Sequence, residues 1–154
     1  METRVEKAER LFKEGYNCSQ SVFAAYCDLY EIDEETALKL SASFGGGMGR
    51  MREVCGAVSG MFLVAGMETG TTEGKDSAGK KHNYDTVQFL AEKFKEKNGS
   101  IVCRELLGLG EKKQEGFKET KPEERTEQYY KKRPCVEIVK TAAELIEEYL
   151  LENK

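Results

Sequence analysis

Apolar positions along this chain recur at intervals of three and four, the period of helices that turn one face toward a core. Val5, Ala8, Leu11 and Phe12 form the first such stripe, and Gly15 supplies a left-handed stop. The chain restarts at Asn17-Cys18-Ser19, and Val22, Phe23, Tyr26 and Leu29 mark a second helix ending near Tyr30. Asp33 is placed to cap a third, with Thr36 at its N3 position. Leu40 and Phe44 are expected to close that helix against the glycine run Gly45, Gly46, Gly47 and Gly49. Next comes the longest uncharged stretch, the 14 residues Val54 to Met67, opening at Cys55. It contains Gly56 and Gly60, each of which would cost an exposed helix about 1 kcal/mol relative to alanine. The expectation is a buried helix whose glycines let another backbone come close.

Glu68 to Asn83 is polar and reads as a loop. Val87, Leu90, Ala91 and Phe94 then line the inner face of a long helix that ends at Asn98-Gly99. A short helix starts at or near Cys103, and Pro122 beside Glu123 and Glu124 suggests another, facing solvent. The last helix runs from Cys135 to about Leu151, with Val136, Val139, Ala143, Ile146 and Leu150 on one stripe. No alternating pattern of useful length is present. The prediction is an all-α bundle of six to eight helices forming one domain over residues 1–154.

Composition narrows the setting without changing that picture. The 24 basic and 28 acidic residues are interspersed, for a net charge of −4, and no basic stripe marks nucleic acid as a partner. The uncharged stretch falls short of the roughly 20 residues that span a bilayer, and METRVEKAERLF lacks the apolar core of a signal peptide. A cytoplasmic location without membrane insertion is the expectation. In that reducing setting, five cysteines point to metal binding or catalysis before structural disulfides.

Four of the five, Cys18, Cys55, Cys103 and Cys135, fall where a helix is predicted to begin. Free N–H groups and the helix dipole there favour negative charge, which lowers a thiol pKa and raises the thiolate fraction. Cys27 lies among Ala24, Ala25 and Tyr26 and reads as a small core residue. The four stand 37, 48 and 32 residues apart with no Cys-x-x-Cys, which argues against zinc ribbons and thioredoxin-type motifs. Three readings stay open: ligands for an iron–sulfur cluster or a single metal, two redox pairs, or buried cysteines that only pack.

The order Gly15-Tyr16-Asn17-Cys18-Ser19-Gln20-Ser21-Val22, Cys55-Gly56-Ala57-Val58-Ser59-Gly60, Cys103 and Cys135 resembles the C_GCAxxG_C_C family, over roughly Leu11 to Leu150. The central motif here is Cys-Gly-Ala instead of the Cys-Gly-Cys-Ala of the name, which removes a thiol beside Cys55. The resemblance implies redox or cluster chemistry at the four matching cysteines and leaves Cys27 outside the pattern. It implies no particular substrate.

Gly46, Gly47, Gly49 and Gly56 are the candidates for backbone contact with a bound group or anion, with Arg50 or Arg52 adding charge. The run lacks the Lys-Ser/Thr ending of a P-loop and the strand that precedes a dinucleotide fingerprint. A tight helix–helix crossing is its simpler explanation. His82, the only histidine, sits in Lys80-Lys81-His82-Asn83 and reads as a solvated loop residue. The charged segment from Glu111 to Arg133 reads as a solvated face or, more sharply, as a lid between Cys103 and Cys135. The combined expectation places the four cysteines at one redox site with Cys55 as its central thiolate. Its partner would be a redox protein or a small thiol, and the apolar stripes leave room for a homodimer.

Overall fold

A computed structural model describes residues 1–108, 120–127, 129 and 134–153. Seven α-helices are described. They are α1 (Arg4–Lys13), α2 (Cys18–Ala24), α3 (Glu34–Ser41), α4 (Gly56–Thr69), α5 (Ser77–Asn98), α6 (Cys103–Leu106) and α7 (Cys135–Glu152). The protein is all-α as expected, and β structure among the described residues is limited to one isolated bridge. No described helix is long and apolar enough to cross a membrane.

Local signals start and stop these helices. Thr3 and Glu6 form a capping box on α1, and Asn17 and Gln20 form another on α2. Asp33 accepts from the Thr36 amide to cap α3. Gly15 and Gly99 take left-handed conformations just beyond α1 and at the end of α5.

Three expectations fail locally. The second helix stops at Ala24, and Cys27–Tyr30 forms a separate 3-10 turn. Arg4 takes the Ala25 carbonyl at 2.9 Å, and the Leu29 amide bonds back only three residues, to Tyr26. The tighter winding leaves Leu29 on the surface while Tyr26 is fully buried. Leu40 is also exposed, because α3 ends at Ser41 and a second 3-10 turn, Ala42–Phe44, leads into the glycines. The loop expected over 68–83 is shorter: α4 continues to Thr69, and Asp76 caps α5 through the Gly79 amide. His82 therefore lies on an exposed face of α5.

Helix α4 is the centre of the bundle, buried on nearly every side and packed against α2, α5 and α7. Its glycines act as expected at the crossing with α2. A Cβ on Gly60 would lie 2.9 Å from the Ser19 carbonyl oxygen and 3.0 Å from Val22 Cβ. A Cβ on Gly56 would lie 3.2 Å from Cys18 Cβ. The close crossing thus sets the start of α2 against the start of α4. Gly60→Ala is expected to destabilise the fold by about 1–3 kcal/mol through overpacking against backbone, against a propensity gain of about 1 kcal/mol. Urea unfolding measures the balance, and a net stabilisation would mean the crossing is looser than it stands here.

Candidate functional site

Four separate segments deliver the four cysteines to one cavity. Cys18 opens α2 behind its Asn17 cap, and Asn17 Nδ2 also donates to the Ala42 carbonyl, tying α2 to the approach to the glycines. Cys55 is the residue that caps α4, Cys103 is the first residue of α6, and Cys135 is the first of α7, after Pro134. Backbone pairing between two distant stretches fixes Cys55 beside Cys103. The Cys55 amide donates to Ile101 O at 2.8 Å and the Cys103 amide to Glu53 O at 2.6 Å, across the antiparallel bridge of Val54 and Val102. All four cysteines line a single cavity of about 410 Å³. Cys27 does not line it; its sulfur faces the Ala24 carbonyl within the core.

The glycine run forms one wall. Gly46, Gly47, Met48, Gly49 and Arg50 all have positive φ, as does Arg52. A non-glycine residue in this region costs about 1–2 kcal/mol, so Met48, Arg50 and Arg52 store strain. The Arg52 and Glu53 amides hold the turn by donating to the Gly46 and Gly47 carbonyls at 3.2 and 2.8 Å. Of the glycines proposed to contact a bound group, Gly46, Gly47, Gly49 and Gly56 all line the cavity. The tight-crossing reading holds for Gly56, whereas the run itself is a left-handed turn walling the cavity.

The opposite wall comes from the charged segment. Thr120, Pro122, Glu123, Arg125 and Tyr129 line the same cavity. Residues 120–126 are irregular, and the chain is helical at Glu127 and Tyr129, a few residues later than the start expected at Pro122. Arg125 donates to the Phe12 and Tyr16 carbonyls at 2.8 and 3.1 Å, and its guanidinium lies 4.2 Å from the centre of the Phe12 ring. Arg50 donates to the Lys121 carbonyl from the glycine side. The rest of that segment, 111–119, 128 and 130–133, lies outside the described residues.

Thiol acidity corrects the sequence expectation. The Cys18 pKa is raised well above the ordinary thiol value, first by a hydrogen bond with Cys135, then by burial of its sulfur and by the other three thiols. Burial pushes the Cys55 thiol up to about 12, although the Val58 and Ala57 amides pull the other way. A helix start contributes about 0.3–1 kcal/mol, below one pKa unit, whereas full burial shifts a group by up to 3–5 units. Desolvation wins, and Cys55 is a protonated thiol at neutral pH.

Because the folded protein keeps these protons, stability is expected to hold below the unfolded thiol pKa of about 8.5. It should fall as pH rises from there toward 12, by about 1.4 kcal/mol per unit for each such thiol. Denaturant midpoints measured from pH 7 to pH 10 test the slope, and Cys55→Ala should flatten it.

Arg52 departs from the other cationic groups of the wall. Its residue is 8 % exposed, and Nη1 stands 3.7 Å from Cys103 Sγ. Among the described residues its guanidinium has no carboxylate partner. In sequence it appeared only as an alternative to Arg50. Arg125 carried no sequence signal, since its partners are carbonyls more than a hundred residues away.

Four cysteine sulfurs form a donor set suited to zinc or an iron–sulfur cluster. The described residues nevertheless place no group of three His, Cys, Asp or Glu side chains so that it could hold a metal ion. The arrangement instead offers two couples in one cavity: Cys18 and Cys135, whose thiols interact, and Cys55 and Cys103, held together by backbone pairing.

The family model described as "Putative redox-active protein (C_GCAxxG_C_C)" matches residues 16–149. No curated protein and no solved structure matches the chain.

Proposed function

This chain belongs to the C_GCAxxG_C_C family, described as redox-active, and on that premise we propose that it exchanges two electrons as a dithiol, with Cys18 and Cys135 as the reacting pair. The observation that carries the reading is that the two thiols line one cavity, with Cys135 first among the groups that raise the Cys18 thiol. We assign the proton of the pair to Cys18, whose pKa is raised, with its thiol donating to Cys135 Sγ. Such donation stabilises the acceptor sulfur as a thiolate, so Cys135 is the nucleophile and Cys18 the resolving thiol. Both residues keep some exposed surface, unlike Cys55 and Cys103, although the Cys18 sulfur itself is buried.

The Cys135 thiolate attacks one sulfur of a disulfide, forming a mixed disulfide and expelling the first product as a thiolate. Cys18 gives up its proton to that leaving sulfur and attacks Cys135 Sγ. The second product thiol leaves, taking a proton from solvent, and a Cys18–Cys135 disulfide remains. The disulfide gains two electrons and the protein loses two. Cys55, held protonated by burial, takes no part in the first attack, which moves the nucleophile away from the thiolate expected at that position.

Anaerobic oxidation of the reduced protein by a small disulfide, followed by peptide mapping, tests the reading. Two thiols should disappear together and reappear as a Cys18–Cys135 crosslink, and Cys27→Ala should change neither the count nor the rate. Stoichiometric iron with acid-labile sulfide, or tightly held zinc, on anaerobically purified protein would replace this reading with a metal centre. Thiols lost one at a time with no preferred pair would leave the cysteines as packing residues.

A further inference from the structure

We infer that the cavity receives a small acidic disulfide, with a carboxylate of that molecule seated on the Arg52 guanidinium beside Cys103. The inference rests on the dithiol reading and adds the chemical class of its substrate.

Size comes first. A cavity of about 410 Å³ lies in the range that encloses small molecules. Its thiols are set inward: Cys55 and Cys103 are buried, and burial is among the causes that raise Cys18. A disulfide on the surface of a folded protein would have to reach past the segment 120–126 on one side and the glycine turn on the other. A small disulfide enters whole.

Charge comes second. A guanidinium buried to this extent normally stands against a carboxylate, because the unpaired charge is costly to desolvate. Among the described residues the Arg52 guanidinium has only the Cys103 sulfur as a partner, at 3.7 Å. The two other arginines of the cavity direct their guanidinium groups to main-chain carbonyls, Arg50 to Lys121 and Arg125 to Phe12 and Tyr16. Arg52 lines the cavity with no described carboxylate on it, from a left-handed backbone of φ 61°. Among the described residues Glu123 is the one carboxylate lining the cavity, and it comes from the segment opposite the glycine turn. The whole chain carries a net charge of −4, so an anion gains nothing from the overall field and must be drawn by the local cation.

The reaction balances as above: the acidic disulfide is reduced to two thiols while Cys18 and Cys135 close into a disulfide. Dithiodiglycolate, a dianion, and bis(2-hydroxyethyl) disulfide, a neutral molecule of similar size, are suitable probes. Their rates with the fully reduced, full-length protein are each divided by the rate with dithiothreitol as a simple dithiol. The normalised ratio of anion to neutral should exceed about ten, the least that one charge-assisted hydrogen bond to a desolvated guanidinium contributes. Arg52→Gln should lower that ratio about tenfold, Arg52→Lys should retain part of it, and added salt should lower it in the unaltered protein.

Equal normalised rates for the two probes in the unaltered protein would overturn the anion site and leave the dithiol reading intact. A parallel fall of both rates in Arg52→Gln, with helix content by circular dichroism also reduced, would make Arg52 a structural residue and overturn it too. No reaction with either probe would sink the dithiol reading, and the substrate class with it.

Discussion

Cys18→Ser is expected to stop the exchange halfway, with one small-disulfide fragment captured on each chain at Cys135. The serine hydroxyl keeps a donor near Cys135 Sγ but cannot displace the captured thiol, so intact mass should show a single stable adduct. The unaltered protein should clear that adduct, because the second thiol lines the same cavity as the first and interacts with it. Intramolecular attack from a fixed position corresponds to effective concentrations of about 10⁵ M or more, so resolution should slow by at least about a thousandfold. Cys135→Ser should form no adduct at Cys18, whose proton is held by its environment. An adduct on Cys18 in that variant, formed as fast as the one on Cys135, would reverse the roles assigned here.

Gly47→Ala is expected to be far more damaging than Gly49→Ala. Its Cβ would stand 2.6 Å from Cys103 Cβ, 2.9 Å from Arg52 Cα and 2.9 Å from the Glu53 amide nitrogen. Two of these neighbours are backbone and the third is a Cβ held by its own backbone bonds, so none can swing away. Overpacking of about 1–3 kcal/mol adds to the left-handed penalty of about 1–2 kcal/mol at φ 70°. The Glu53 amide bonds Gly47 O while Glu53 O receives the Cys103 amide, so the displacement also separates Cys103 from Cys55. Gly49→Ala is the internal comparison: its φ is 59°, but its Cβ would meet only Ser43 O, at 3.9 Å. It should cost the conformational penalty alone. Equal losses of stability for the two variants would mean that backbone strain, and not the approach of Cys103, explains Gly47.

Much of the fold was legible because its punctuation is local. The Gly15 stop, the Asn17 cap, the glycine run and Pro134 all act within a few residues of a helix end. They were sufficient to place Cys18, Cys55, Cys103 and Cys135 at helix starts, and the apolar stretch after Cys55 correctly marked the central helix. Leu29 and Leu40 misled because periodicity records which residues are apolar and not where a helix tightens or ends. Residues 77–83 read as loop because an exposed first turn of a helix is as polar as a loop, and only the Asp76 cap distinguishes it.

The sequence by itself determined an all-helical chain, four cysteines each at the head of a helix, and a glycine run unable to continue one. Those properties depend on backbone preference and on neighbours within one turn. Only the tertiary structure decided that the four heads meet, because the Val54–Val102 bridge and the crossing of α2 with α4 join residues that share no local pattern. It also reversed the expected acidity of Cys18 and Cys55: the helix-start effect is local and small, whereas the desolvation that outweighs it comes from segments folded over them. The isolation of Arg52 from any described carboxylate was decided the same way, since charges interspersed along a chain do not reveal which of them will be left without an opposite.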